Sequence, residues 1–175
     1  MLNGDIQKNG VVYRVKEGAL VSVELLDEWL NELIVPEGVL KINVRAFYGL
    51  NNVKRIVLPN TLTVIERDAF AFLDGLEEVV FGLSLKRIGA RAFIKCTSLK
   101  SIILPSGVEE LGENLFTECA LLEYLYIPKS VKRVYKHLIL KCPLLVVECE
   151  AEKRPLLWSA DWNRFERPVK WGVKR

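Results

Sequence analysis

The sequence holds one histidine and one methionine, and its four cysteines form no CxxC or Cys/His pair. Zinc sites of the finger or ribbon type depend on such paired spacings, so metal is not expected. GxSxG, a Gly-rich phosphate loop, HExxH and DxDxDG are all missing, which leaves hydrolase, nucleotide and metal chemistry without an anchor. Carboxylates do occur in adjacent pairs, Glu77-Glu78 and Glu109-Glu110, but neighbours on a strand point to opposite faces and read as a solvated surface. Catalysis needs converging groups held by supporting contacts, and neither these pairs nor the lone His137 supplies them. The expectation is a non-enzymatic chain with no cofactor and no small-molecule substrate.

No run approaches the roughly 20 apolar residues of a membrane span. The opening residues, MLNGDIQKNGVVYRVKEG, show neither an apolar h-region nor a small-residue cleavage site, so a cytoplasmic location is expected. What the sequence has in quantity is apolar residues, half of its 175, enough for one domain with a sizeable core. Formal charge is near balance at +3 but unevenly spread: residues 129–175 carry 12 Lys/Arg against 5 Asp/Glu. This basic segment runs from Lys129 to Arg175 and lacks interleaved aromatics on one strand face. A solvated surface is therefore favoured over a nucleic-acid site.

The dominant feature is a repeat. Pro36, Pro59, Gly82, Pro105 and Pro128 are 23 residues apart, as are Phe47, Phe70, Phe93, Phe116 and Ile139. Apolar ladders share the period: Leu33, Ile56, Val79, Ile102 and Leu125 form one, and Ile42, Ile65, Ile88, Leu111 and Val134 another. A constant period between 20 and 29 with Leu-x-x-Leu-x-Leu spacing predicts a right-handed leucine-rich repeat solenoid, in which stacking buries faces that no single coil can bury. Five coils are expected over residues 30–144, an N-terminal cap over 1–29, and a final strand with a Trp-rich cap over 145–175, all in one structural domain. Within a coil, period-two alternation places Ile102 and Leu104 inward on a short strand that Pro105 ends. The Ala-Phe segments predict a helical or 3₁₀ turn on the convex side.

Val11 to Val15 and Leu20 to Leu25 alternate around Lys16-Glu17-Gly18 and predict a hairpin. After Leu145 the period fails: continued, it would turn Glu148 and Glu150 inward, whereas a one-residue shift turns Val147 and Cys149 inward. Trp158, Trp162 and Trp171 are expected to fold over the last coil. Cys96, Cys119 and Cys142 recur at one phase, which favours small buried thiols over disulfides or metal ligands.

The recurring LxxIxLPxxVxxIxxxAFxxC, as in LKSIILPSGVEELGENLFTEC, resembles the BspA-type (Treponema pallidum-type) bacterial leucine-rich repeat. The tail CEAEKRPLLWSADWNRFERPVKWG is similar to the tail closing many such proteins. The resemblance covers roughly residues 30–172. It implies a protein-binding or adhesive role, commonly at the bacterial surface. The departures are Gly82 for proline, Leu50 and Leu73 for cysteine, and His137-Leu138-Ile139 for Ala-Phe.

The candidate partner-binding residues lie between the inward strand positions. Ile34, Val57, Val80, Ile103 and Tyr126 should form an exposed apolar row, flanked by Glu32, Arg55, Glu78, Ser101 and Tyr124. Such a stripe marks a protein interface with tyrosines as anchors, or else reflects the strand preference of β-branched residues. The partner expected is a protein of unspecified identity; adhesion to a host or extracellular glycoprotein and self-assembly into a homodimer are the alternatives.

Overall fold

The computed structural model describes residues 1–174, so the basic residue Arg175 lies outside the described residues. Stacking is visible in the register. Glu32–Ile34, Arg55–Val57 and Glu78–Val80 pair in parallel, each residue opposite the one 23 positions on. A second parallel sheet joins Ser101–Ile103, Tyr124–Ile127, Val146–Cys149 and Val169–Trp171. The two sheets hold seven strands, one per turn, so the chain makes about seven turns where the repeat template counts five.

The extra turns escaped the template because their spacing changes. Val147 pairs with Leu125 and Val169 with Val147, both steps of 22 residues. The shorter step brings Val147 and Cys149 into the core and leaves Glu148 outside. Burying a carboxylate would cost several kcal/mol, roughly, so the one-residue slip is the cheaper path. Trp158 and Trp162 pack edge to face at 5.1 Å and, with Trp171, lie against the end of the core.

A third row of two-residue strands, Lys41–Ile42, Val64–Ile65, Arg87–Ile88, Glu110–Leu111 and Arg133–Val134, also pairs in parallel at 23-residue steps. At its start stands an antiparallel meander, Gly4–Lys8, Val11–Lys16 and Ala19–Leu25, whose last strand passes onto Lys41–Ile42. Glu17 and Gly18, both with positive φ, make the predicted turn. Val11, Tyr13, Val15 and Leu20 bury into the common core.

The helical turns are not formed, and the described residues contain no helix. Each Ala-Phe segment is a non-helical turn in which Arg45, Asp68, Arg91, Asn114 and His137, 23 apart, take φ between 52° and 58°. A left-handed residue interrupts a 3₁₀ series, and the backbone bonds run to the next coil: Phe70 N–H donates to Ala92 O, Phe93 to Leu115 O, and Phe116 to Leu138 O. Further along the axis this segment becomes a strand pair, Phe116–Thr117 with Ile139–Leu140. Beneath it Phe47, Phe70, Phe93 and Phe116 stack at 4.7, 5.0 and 5.7 Å. These offset stacks add to area burial and tie successive coils together.

Candidate functional site

Parallel pairing brings the predicted outward row onto one side of the two sheets. Ile34 and Ile103 are 39% and 50% exposed, while Val57 and Val80 are half-buried. Tyr126 corrects the expectation: it is only 6% exposed and does not stand out as an anchor. Its row continues to Glu148 and Lys170, and its hydroxyl hydrogen-bonds toward the Glu150 carboxylate. The usable apolar row is therefore Ile34, Val57, Val80 and Ile103. It crosses a break in pairing between Glu78–Val80 and Ser101–Ile103. Beside that break Gly82 replaces the proline of the other coils. A Cβ there would lie 2.0 Å from Pro59 O, so only glycine allows this approach.

The flanking row spends its charges within the chain. The Arg55 guanidinium bridges Glu32 and Glu78, donating through Nε to Glu78 Oε2 at 2.8 Å and through Nη1 to Glu32 Oε1. Hydrogen bonds to Glu32 and Glu78 raise its pKa further. Ser101 is exposed, and Tyr124 donates to Glu148 Oε2 at 2.6 Å. This face is an apolar row edged by charges paired within the chain, two carboxylates sharing one guanidinium.

The same economy recurs around the solenoid. Glu77 lies between Lys54 and Lys100 at 3.6 and 2.6 Å, Glu109 between Lys86 and Lys132 at 3.7 and 3.2 Å, and Glu118 between Lys95 and Lys141 at 3.7 and 2.8 Å. Hydrogen bonds from Lys100, Lys132 and Lys141 hold these carboxyls below the usual range. Burial pushes Glu66 up, but Lys41 and Arg87 outweigh it and leave the carboxyl low. Much of the basic C-terminal charge is consumed here, because Lys129, Lys132, Arg133, Lys141 and Lys170 each pair with a glutamate.

The thiols are core groups. Cys96, Cys119 and Cys142 donate to Phe70 O, Phe93 O and Phe116 O at 3.1, 3.1 and 2.7 Å, and burial pushes Cys96 and Cys149 up to about 12. His137 is half-buried, with its backbone N–H donating to Asp161 O. Near the C-terminal end a groove of about 560 Å³ is lined by Ile139, Phe165 and the cations Lys141 and Arg167. Both cations are occupied, Lys141 by Glu118 and Arg167 by Pro143 O. On the turn side, which the apolar ladders do not mark, Tyr48 and Phe72 are exposed. The signal was available: Phe72 shares its phase with Gly49, Lys95, Glu118 and Lys141, so an aromatic there is out of pattern.

A model of the BspA type leucine rich repeat region matches residues 27–145 with six copies. The chain belongs to the BspA-type leucine-rich repeat family. No functionally curated protein matches it. Among solved structures it is similar to a leucine-rich repeat protein of Treponema pallidum, with a TM-score of 0.68 and 26% identity over 78% of this chain and 67% of that one. It also resembles a leucine-rich cell surface protein of Faecalibacterium prausnitzii, with a TM-score of 0.73 and 20% identity over 98% of this chain and 43% of that one. The pneumococcal vaccine antigen PcpA has a TM-score of 0.76 and 21% identity, over 97% and 42% of the two chains. The repeat-family chain thus spans less than half of the latter two proteins. Its own fold is that of an interaction scaffold, and no helix among the described residues is long and apolar enough to cross a membrane.

Proposed function

We propose that this BspA-type repeat chain binds another protein through the sheet side carrying Ile34, Val57, Val80 and Ile103. The observation behind this reading is an apolar row held on rigid parallel strands, beside two carboxylates already paired with Arg55. Rigid strands lose little conformational entropy on binding, and the row supplies apolar area for burial. Strand preference for β-branched residues is the competing explanation, and mutagenesis separates the two. Val80→Lys combined with Ile103→Lys should leave circular dichroism and melting nearly unchanged while abolishing capture of the native partner. Capture that persists sinks the assignment.

Adhesion at a bacterial cell surface is the second reading. It is favoured by the descriptions of the F. prausnitzii protein as a cell surface protein and of PcpA as a vaccine antigen. Fractionation of the native cells tests it, since purely cytosolic protein is incompatible with adhesion.

A further inference from the structure

The turn side of the first and second coils differs from every later coil. Tyr48-Gly49 on one coil is followed by Ala71-Phe72 on the next, so large and small residues alternate in both directions. Two rings thereby wall a cleft of about 430 Å³ whose floor is small. Tyr48 is 70% exposed and Phe72 49%, and a Cβ placed on Gly49 meets nothing within 4 Å. Lys95 Nζ lies 5.5 Å from the centroid of the Phe72 ring. Because Lys95 belongs to the following coil, the other face of the ring looks back across Gly49.

Phe72 also sits at φ 65°. Left-handed backbone is unfavourable for a bulky residue, and neither core packing nor a hydrogen bond from the ring demands phenylalanine at this exposed site. Its counterparts are glycine or long polar chains that form ion pairs. The polar groups of the cleft are unpaired as well. Arg45, Asn51 and Asp74 line it, and among the described residues their side chains make no hydrogen bond or ion pair. Arg45 shares its phase with Asp68, but both oxygens of that carboxylate are taken by Arg91 at 2.8 and 2.7 Å. In a molecule that pairs most of its repeated charges, an idle cation, an idle carboxylate and an idle amide meet beside two bare rings.

We propose that this cleft binds a neutral oligosaccharide. Exposed aromatic faces suit the C–H faces of pyranose rings, and a guanidinium, an amide and a carboxylate supply the planar donors and acceptors that vicinal hydroxyls require. One positive and one negative group cancel, which favours an uncharged ligand over an anion. The length follows from a second cleft of about 500 Å³ that shares Gly49 and Asn51 and continues past Asn52 toward Glu24 and Glu28. Together they accommodate more than one sugar ring. This inference does not rest on the sheet-side reading, and loss of saccharide binding and loss of protein capture are read separately.

Saturation-transfer NMR with maltotetraose, chitotetraose and lacto-N-tetraose tests it. At least one should bind with a dissociation constant of about 0.1–5 mM, with transfer strongest to C–H protons of the rings. Tyr48→Ala and Phe72→Lys should each weaken binding by at least about tenfold while melting as the parent does. Lys95 occupies the Phe72 phase one coil on, so lysine is compatible with that backbone. Asp74→Asn, which keeps the shape and removes an acceptor charge, should weaken binding less. Failure of all three sugars to bind at about 10 mM, or binding untouched by both aromatic substitutions, overturns the proposal.

Discussion

The turn side is two surfaces built on one backbone. Along its later coils, Ile94-Lys95, Thr117-Glu118 and Leu140-Lys141 carry an unbroken ion-pair ladder through Glu118. Along its earlier coils, Tyr48-Gly49 and Ala71-Phe72 take equivalent places with exposed rings and unpaired polar neighbours. The left-handed φ values are shared, so backbone does not distinguish the two halves. A repeat supplies its own controls: what all copies retain is scaffold, and what one pair of coils alone changes is a candidate for recognition.

What both halves share should be the most costly to remove. Phe93 stacks between Phe70 and Phe116 and is fully buried. Phe93→Ala should destabilise the chain by about 3–5 kcal/mol in urea titration, through lost burial and an unfilled cavity. Next comes Asp68, 4% exposed, which fixes Arg91 where the two halves meet. Asp68→Ala should cost about 1–3 kcal/mol, because it strips hydrogen bonds from a partly buried guanidinium.

Acid should act on the ion-paired carboxylates of both halves. Glu77, Glu109 and Glu118 are held below their ordinary 4.5 by lysines. As pH falls through about 4.5 the unfolded chain takes up protons that the folded chain still refuses, so stability drops from there downward. Glu118→Gln should flatten that dependence and lower the melting temperature slightly at low salt, with the loss shrinking as salt screens the ladder. The smallest effect is expected at Thr117, whose buried hydroxyl has no hydrogen-bond partner among the described residues. Thr117→Val keeps the shape and should be neutral or stabilise by up to about 1 kcal/mol in the same titration.

The strands and core ladders were legible in the sequence because burial enforces a period, and Leu33, Ile42, Phe93 and Cys119 read out that period directly. The last turns were not, since the 22-residue steps at Val147 and Val169 break it. Helical turns were a reasonable inference from Ala-Phe pairs, yet the deciding hydrogen bonds run between coils, a contact that no local window contains. On the sheet side, Ile34 and Ile103 stand out as alternation predicts. Tyr126 does not, because its hydroxyl turns toward Glu150 in the turn beyond.

The charge ladders carry a consequence for assembly. Successive coils with nearly interchangeable apolar faces invite a mistake in which one loops out and its neighbours close the gap. Along several phases the sign alternates from coil to coil, as in Lys54, Glu77, Lys100 and in Lys86, Glu109, Lys132. Omitting the coil of Glu109 and Glu118 would set Lys86 against Lys132 and Lys95 against Lys141, omitting that of Glu77 would set Lys54 against Lys100, and omitting that of Arg55 would set Glu32 against Glu78. Each pair contributes little to the finished fold, but together they spell an order of assembly, telling every coil which one it must follow.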